Sequence, residues 1–320
     1  MTVVTDRPAP VSSPTPEPAR RSGLFDRMRM RAVPYFLALP GSLWLVVFFV
    51  APMIAMISLS LTQGDIGAGF QQTFHWQNYT HSISTYHVQF VRSLEYGLIS
   101  TVLQIAIAYP VSYWIAFRGG SRKTFYLFLL LLPFFVSFVL RTQSWNFMLA
   151  DNGIILGPLK SGFHIGGLHV AGFLPQNFHV LATTPAVIGG LTYNYLPFMV
   201  LPIYVALERV DPRLIEASYD LYASKIRAFT RVIFPLSLPG IFAGVVITFV
   251  PVSSDYVNAY ILGGPKNTMI GNVIQNNYLV NQQYPEASAL SFALMAVLLI
   301  GLFAYAKALG TEDVLEAAAG

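Results

Sequence analysis

The sequence predicts an all-α, polytopic membrane protein with six transmembrane helices. Hydrophobic residues make up 54% of the 320 residues and charged residues only 11%, whereas soluble domains carry about 25% charged residues. The apolar residues also gather into runs close to the roughly 20 residues that cross a bilayer as a helix. A water-facing surface cannot be built from this composition.

Six segments have the length and apolar content of membrane-spanning helices. We predict the spans at residues 33–61, 94–117, 124–148, 186–207, 240–262 and 287–309. Residues 1–32 are rich in proline, serine and arginine, which predicts a disordered cytoplasmic tail. The transmembrane domain is therefore expected at residues 33–310 and a second cytoplasmic tail at residues 311–320.

The positions of lysine and arginine predict the orientation, because short cytoplasmic loops are enriched in them. The outer connections hold only Arg92, Lys160 and Lys266, and Arg141 lies near the outer end of the third span. Both termini are therefore expected in the cytoplasm. The basic residues of the expected inner side are Arg7, Arg20, Arg21, Arg27, Arg29, Arg31, Arg118, Arg122, Lys123, Arg209, Arg213, Lys225, Arg227 and Arg231.

Several kinds of chemistry are excluded. The chain has no cysteine, so disulfides, thiolate metal sites and cysteine nucleophiles are ruled out. It has no G-x-x-x-x-G-K-[ST] phosphate loop, and its net charge of +4 reports membrane topology rather than nucleic-acid binding. The histidines fall in predicted outer loops without an H-E-x-x-H pattern, so no metal site and no catalytic site are expected. They are His75, His81, His87, His164, His169 and His179.

The outer segment at residues 62–93 is rich in aromatic residues and allows two interpretations. It is either an amphipathic stretch that lies on the membrane surface or an ordinary external loop with interfacial aromatics. The sequence leaves both open.

The cytoplasmic connection at residues 211–240 is the most informative part of the chain. Asp211 followed by Pro212 predicts a helix start, because the carboxylate caps free amides and proline suits the first helical position. This first helix is expected to run to about Tyr222. Small residues on it, with a basic face beyond, indicate a surface that another protein can approach closely.

A second short helix is predicted at residues 225–233, capped by Ser224. Pro235 and Pro239 are expected to end it before the chain re-enters the membrane. The connection is therefore predicted to be two short helices that project into the cytoplasm.

These residues resemble the EAA motif of ABC importer permeases, whose usual form is E-A-A, a glycine four residues beyond, and later I-x-L-P. Tyr222 stands where the family has glycine, so the geometry of that turn is left open. The resemblance implies that the loop docks into a groove of a cytoplasmic ATPase. The residues assigned to this coupling are Glu216, Ala217, Ser218, Asp220, Ala223, Arg227, Pro235, Pro239 and Gly240.

The resemblance extends over residues 33–309. The stretches LTYNYLPFMVLPIYVALERVD, GGPKNTMIGNVIQNNYLV and FFVSFVLRTQSWNFMLADNGIIL resemble the B-type permease of spermidine/putrescine importers. The resemblance implies a type I (MetI-like) permease fold and a polyamine substrate, although permeases for thiamine, iron and phosphonate are similar.

The resemblance also implies the partners. These are a second homologous permease, an ATPase homodimer that carries ATP and magnesium, an extracytoplasmic substrate-binding protein and membrane lipid, with no cofactor on this chain. An ion-coupled secondary transporter and a membrane enzyme are the rival classes, and neither needs a two-helix docking loop.

A polyamine path would need carboxylates for charge and aromatic walls for methylene spacers. Asp255 lies in the fifth predicted span, where an unpaired carboxylate is costly and is expected to face the bundle or water. In a continuous helix Pro251, Asp255, Asn258 and Leu262 would share one face.

The candidate path residues are Asp255, Tyr256, Asn258, Tyr193, Asn194 and Trp145, with Tyr195 beside them. The alternative is that Asp255 is an interhelical hydrogen-bond partner and the aromatics form an interfacial belt. Glu95 and Asp151 would either attract cations or mark the water boundary.

Overall fold

The computed structural model describes residues 37–308, except residues 66, 68, 166–167, 171–173 and 176. The predicted tails at residues 1–32 and 311–320 lie outside these described residues. The chain divides into two compact units, Met1–Ala55 and Met56–Gly320. In the first unit, the described residues form the beginning of the first helix. All contacts given below lie within the unit Met56–Gly320.

Within the described residues, five helices are long and apolar enough to cross a membrane, and the number is six if a bent pair of helices, Gly120–Phe135 and Phe138–Leu149, is counted as one span. In chain order the helices are α1 (Leu37–Ser60), α2 (Gln77–Arg118), α3 (Lys123–Leu131), α4 (Phe138–Leu149), α5 (Leu156–Ser161), α6 (Thr184–Glu208), α7 (Pro212–Asp220), α8 (Lys225–Ala228), α9 (Phe234–Ser253), α10 (Val257–Leu262), α11 (Ile270–Gln275) and α12 (Tyr284–Ala308).

Two antiparallel hairpins accompany the helices. Strand β1 (Thr62–Asp65) pairs with β2 (Gly69–Gln72), and β3 (Phe163–Ile165) pairs with β4 (Leu168–Val170). The outer segment at residues 62–93 is thus a hairpin followed by the beginning of α2, which has one non-helical residue at Tyr86 (φ −109°, ψ 19°).

The third span is not the continuous helix that the sequence predicted at residues 124–148. Helix α3 passes into a short 3₁₀ turn, Leu132–Phe135, and α4 then leaves at an angle of 87°. Val136 and Ser137 between them have extended ψ angles of 141° and 136°. Pro133 contributes to the break because it has no N–H to donate to a helix.

The fifth span also departs from prediction, because the helix stops at Ser253 and restarts at Val257. The residues between them are not helical, so Pro251, Asp255, Asn258 and Leu262 do not share one continuous helical face. That prediction was wrong because it assumed an unbroken helix.

The prediction that Pro235 and Pro239 end a second loop helix was also wrong. Helix α8 passes through a π-turn, Phe229–Ile233, directly into α9, and Lys225–Ser253 forms one helix of 29 residues. In this turn the Phe234 N–H donates to the Phe229 carbonyl, five residues back. The wider turn places Pro235 in the first turn of α9, where a missing N–H is tolerated.

The core forms where α6 packs against α2 and α9. Leu191, Met199 and Ile203 of α6 are fully buried, as expected for the central helix of a bundle. Gly240 permits the close approach of α9, since a Cβ there would lie 2.5 Å from the Ala206 Cβ and 2.6 Å from the Pro202 carbonyl oxygen.

Candidate functional site

The loop at residues 211–240 begins as its sequence predicted. The Asp211 Oδ1 accepts a hydrogen bond from the Arg213 backbone N–H at 2.9 Å and so caps α7, with Pro212 in the first turn. The Ser224 Oγ caps α8 by accepting from the Arg227 N–H at 3.4 Å. Two local capping interactions therefore define the starts of both loop helices.

The turn between the two loop helices has the geometry that the motif glycine would allow. Helix α7 ends at Asp220, two residues earlier than predicted, and Tyr222 has a left-handed φ of +58°. The Tyr222 N–H donates to the Tyr219 carbonyl at 2.9 Å, and the Ala223 N–H donates to the Ser218 carbonyl at 3.0 Å. Tyr222 thus keeps the same turn, but it adopts a left-handed backbone conformation that costs an L-residue about 1–2 kcal/mol of conformational free energy.

The predicted coupling residues differ in exposure, and one of them belongs to the helix packing. Gly240 is buried against α6 and is not part of the exposed loop surface. Ser218, Ala223 and Pro239 are half-buried. The exposed members are Glu216, Ala217, Asp220, Arg227 and Pro235.

The loop also carries exposed apolar side chains that the sequence interpretation did not single out. They are Leu214, Tyr219, Leu221, Tyr222 and Ile226. Tyr222 is 95% exposed. The sequence could have indicated this surface, because five large apolar residues stand in a connection whose charged residues predict that it faces water. Clustered exposed apolar residues indicate an interaction surface.

The intramembrane candidates are organised around Asp255, which lies in the break of the fifth span and is buried. Its Oδ1 accepts from the Asn258 backbone N–H at 2.8 Å. Its Oδ2 accepts from the Asn258 Nδ2 at 3.1 Å and from the Tyr195 hydroxyl at 2.9 Å. The carboxylate therefore satisfies the start of α10 and joins it to α6.

Two asparagine side chains continue this network across the bundle. The Asn194 Nδ2 donates to the Asn258 Oδ1 at 2.9 Å and to the Thr142 hydroxyl at 3.0 Å. Both asparagines and Thr142 are buried. The structure thus brings Asp255, Asn258 and Asn194 together, as the candidate path required, although through hydrogen bonds rather than one helical face.

The far end of the network is Arg141 of α4, to which the sequence analysis gave no role beyond topology. Its Nε donates to the Asn194 Oδ1 at 2.7 Å, and its Nη1 donates to the Pro133 carbonyl at 3.3 Å. The side chain is buried, with 8% of the residue exposed. The signal that could have found it was an arginine inside a predicted span, because intramembrane ionisable residues are rare and functional.

The remaining aromatic candidates lie in two places. Tyr193 and Trp145 pack edge to face with their ring centroids 5.3 Å apart, and Tyr193 lies 6.0 Å from the Arg141 guanidinium carbon. Tyr256 is 43% exposed, and its carbonyl accepts from the Asn272 Nδ2 at 2.8 Å. Of the four aromatic candidates, Tyr195 thus belongs to the network, Tyr193 borders it at Arg141, and Trp145 packs against Tyr193.

The two outer carboxylates have different surroundings. Glu95 is exposed on α2. The Asp151 Oδ1 lies 2.7 Å from the Lys160 Nζ, and its Oδ2 lies 2.6 Å from the His179 Nδ1. The hydrogen bond from Lys160 is the main cause that lowers the pKa of Asp151 below its ordinary value, with His179 adding to the effect. Asp151 is therefore engaged by Lys160 and His179 of its own chain.

Comparisons with known proteins agree with these features. The family described as binding-protein-dependent transport system inner membrane component matches residues 108–309. The chain is 32% identical over 266 residues to the spermidine/putrescine transport system permease protein PotB of Haemophilus influenzae, covering 83% of this chain and 90% of that protein. The Escherichia coli K12 protein of the same name is also 32% identical, with 83% and 94% covered.

More distant relatives share the same architecture. The sn-glycerol-3-phosphate transport system permease protein UgpA of Brucella suis is 28% identical, with 84% of this chain and 92% of that protein covered. A bacterial ABC transporter involved in import of the acidic polysaccharide alginate matches with a TM-score of 0.63 at 20% identity, covering 88% of this chain and 96% of the solved chain. These matches confirm the all-α ABC importer permease fold. The chain belongs to the family of inner-membrane components of binding-protein-dependent transport systems.

Proposed function

We propose that the chain is a permease subunit of an ATP-driven ABC importer and forms part of the path for spermidine and putrescine. The observation that carries this proposal is the 32% identity to PotB over 83% of the chain, a range long enough to include most of the membrane domain. The buried carboxylate Asp255, bordered by aromatic residues, supports a cationic substrate.

The chain is not expected to hydrolyse ATP, since its relatives are permease subunits. We propose that ATP and magnesium are bound by an ATPase homodimer, that a second homologous permease completes the path, and that an extracytoplasmic binding protein delivers substrate. One alginate transporter that resembles this chain in fold is described in complex with a periplasmic protein bound to its substrate. Both termini are proposed to lie in the cytoplasm.

The exposed loop formed by α7 and α8 is proposed to dock on the ATPase. Its apolar side chains, Leu221 and Tyr222 foremost, offer the surface that such a contact would bury. Closure of the ATPases would then move the loop and switch the membrane helices between inward and outward access. Glu216 is exposed on α7 and supplies a negative charge to this surface.

The test is uptake of labelled spermidine and putrescine by proteoliposomes that contain the purified permeases, the ATPase and the binding protein. We expect ATP-dependent polyamine uptake by the wild type. The Glu216→Lys variant should lose at least about tenfold of this uptake, because charge reversal at a tight interface costs several kcal/mol, and it should lose co-purifying ATPase at normal abundance.

The matched control is Glu208→Lys, which reverses a carboxylate at the end of α6, outside the two loop helices. Glu208 forms an exposed salt bridge with Lys123 at 3.4 Å and a hydrogen bond with the Tyr204 hydroxyl. Wild-type uptake and ATPase retention by Glu216→Lys would remove Glu216 from the coupling surface. If the wild-type complex imports glycerol 3-phosphate but not polyamines, the proposed substrate is wrong. Glycerol 3-phosphate is the alternative to test because a 28% identical relative is named as a permease for it.

A further inference from the structure

Arg141 occupies an aromatic pocket inside the membrane domain. Its guanidinium carbon lies 4.0 Å from the centroid of the Phe134 ring and 5.8 Å from that of Phe138, with Tyr193 at 6.0 Å. Aromatic faces within about 6 Å attract cations. The protein therefore holds one of its own cations in surroundings that would suit a substrate ammonium group.

The network from Arg141 to Asp255 can adopt only one orientation. An arginine side chain only donates hydrogen bonds, and an ionised carboxylate only accepts them. Arg141 therefore requires the oxygen of Asn194 to face it, which turns the Asn194 N–H groups toward the oxygen of Asn258. The Asn258 amide in turn directs its N–H at Asp255. The donor at one end and the acceptor at the other therefore require the same orientation of the Asn194 and Asn258 side-chain amides.

The two ends also carry opposite charges, and each lies at a helix break. Arg141 donates to the Pro133 carbonyl at the break of the third span, while Asp255 caps the helix after the break of the fifth. A buried charge is tolerated when it is paired or hydrogen-bonded. A cation that enters this region therefore meets a compensated carboxylate whose two oxygens already accept hydrogen bonds, and not a bare negative charge.

We propose that Arg141 is a specificity-determining residue that acts as the resident counter-charge of Asp255 and sets how strongly the intramembrane site retains a polyamine. This inference rests on the proposed polyamine function. Arg141 competes with substrate ammonium groups for the aromatic walls and for the network, so that a polyamine passes without being trapped. A site with Asp255 and no Arg141 would hold polycations too tightly for rapid release.

The test measures retention and turnover on the same assembled complexes. Equilibrium dialysis of labelled spermidine against the permease–ATPase complex, without the binding protein, gives the affinity of the membrane site. We expect Arg141→Gln to raise this affinity by about tenfold, the effect of removing one charge roughly 10 Å away at an effective dielectric constant of about 20. The maximal uptake rate of the complete system should fall, because release becomes slow.

Three further variants separate charge from structure. Arg141→Lys keeps the charge and should retain spermidine as weakly as the wild type. Asp255→Asn, added to Arg141→Gln, should abolish the gain. Arg92→Gln is the matched control, because Arg92 also donates to a backbone carbonyl, that of Thr268 at 2.9 Å, away from the network; its retention should be unchanged.

Arg141→Met, which fills the space without a polar group, is the second neutral variant if glutamine prevents assembly, and it should also retain spermidine more tightly. The inference is overturned if the wild type imports polyamines while Arg141→Gln and Arg141→Met retain spermidine as the wild type does. It is equally overturned if neither neutral variant assembles, because Arg141 would then be a structural residue. Absence of polyamine uptake by the wild type would instead overturn the proposed function.

Discussion

The exposed loop at residues 211–240 and the intramembrane network both use an aspartate to start a helix, but the partners of the two aspartates lie at different distances along the chain. Asp211 is exposed, and its capping partner is two residues away. Asp255 is buried, and its partners include Tyr195, 60 residues earlier, while Asn194 and Asn258 are 64 residues apart. Helix capping by aspartate thus depends on local sequence in the loop, whereas in the membrane domain the capping aspartate also depends on tertiary contacts.

The largest expected effect contrasts these two aspartates. Asp255→Asn should lower the stability of the membrane domain by about 1–3 kcal/mol, because three donors face the carboxylate and an amide turns one N–H₂ group toward them. Asp211→Asn should change stability by only a few tenths of a kcal/mol, because asparagine caps as well as aspartate does. Thermal unfolding of the purified complex checks both.

If Asp255 were only an interhelical hydrogen-bond partner, as one interpretation of the sequence allows, asparagine could be expected to replace it. The geometry shows that asparagine is a poor substitute in either role, so transport alone cannot separate them. Equal unfolding midpoints for Asp255→Asn and the wild type would show that the carboxylate is not fully engaged.

A smaller effect is expected in the loop turn. Tyr222→Gly should stabilise the turn by about 1 kcal/mol, because glycine adopts a φ of +58° without the penalty of a side chain. Hydrogen exchange at the Ala223 amide, which is bonded to the Ser218 carbonyl, should slow about fivefold.

The matched control for this variant is Ala217→Gly, in the middle of α7, which should speed the same exchange because glycine weakens a helix interior by about 1 kcal/mol relative to alanine. Exchange that is equally slow in Tyr222→Gly and the wild type would show that tyrosine carries no strain there. Uptake is not the readout, since Tyr222 belongs to the proposed docking surface.

The smallest effect concerns Asp151, an exposed carboxylate. Its partners Lys160 and His179 are 9 and 28 residues away, so their separation along the chain lies between those of Asp211 and Asp255 and their partners. Its pKa is lowered in the folded chain by Lys160 first and by His179, so the stabilisation it provides is present above the ordinary pKa of 3.8 and is lost as the pH falls below it. The unfolding midpoint of Asp151→Asn should therefore lie slightly below that of the wild type at neutral pH. The two midpoints should converge as the pH falls well below 3.8, and a difference that persists at the acid end of the titration would contradict an ionic origin.

The sequence predicted local features of the site and missed those set by distant contacts. Asp211, Pro212 and Ser224 identify helix starts because capping depends on neighbours in the chain. The helix breaks at residues 136–137 and 254–256 could not be located, because proline is common in transmembrane helices and does not by itself mark a break.

The network itself shows why the rest could not be predicted. Asp255 and Asn194 were recognised as residue types, but their connection through Asn258 depends on how α6 packs against α10. Arg141 was counted only for topology, although it is buried with the ring centroids of Phe134, Phe138 and Tyr193 within 6.0 Å of its guanidinium carbon. Gly240 shows the opposite kind of error. Its place in the motif predicted a role in coupling, whereas its contacts with α6 indicate a role in close helix packing.

The unbroken passage from α8 into α9 has a mechanical consequence. The helix Lys225–Ser253 has 29 residues and is therefore about 43 Å long. It begins in the exposed loop at residues 211–240 and ends two residues before Asp255. Tilting such a rod by about 10° around its middle displaces each end by about 4 Å, more than the length of a hydrogen bond. One helix thus joins, without an intervening flexible loop, the surface proposed to meet the ATPase to the carboxylate proposed to meet the substrate.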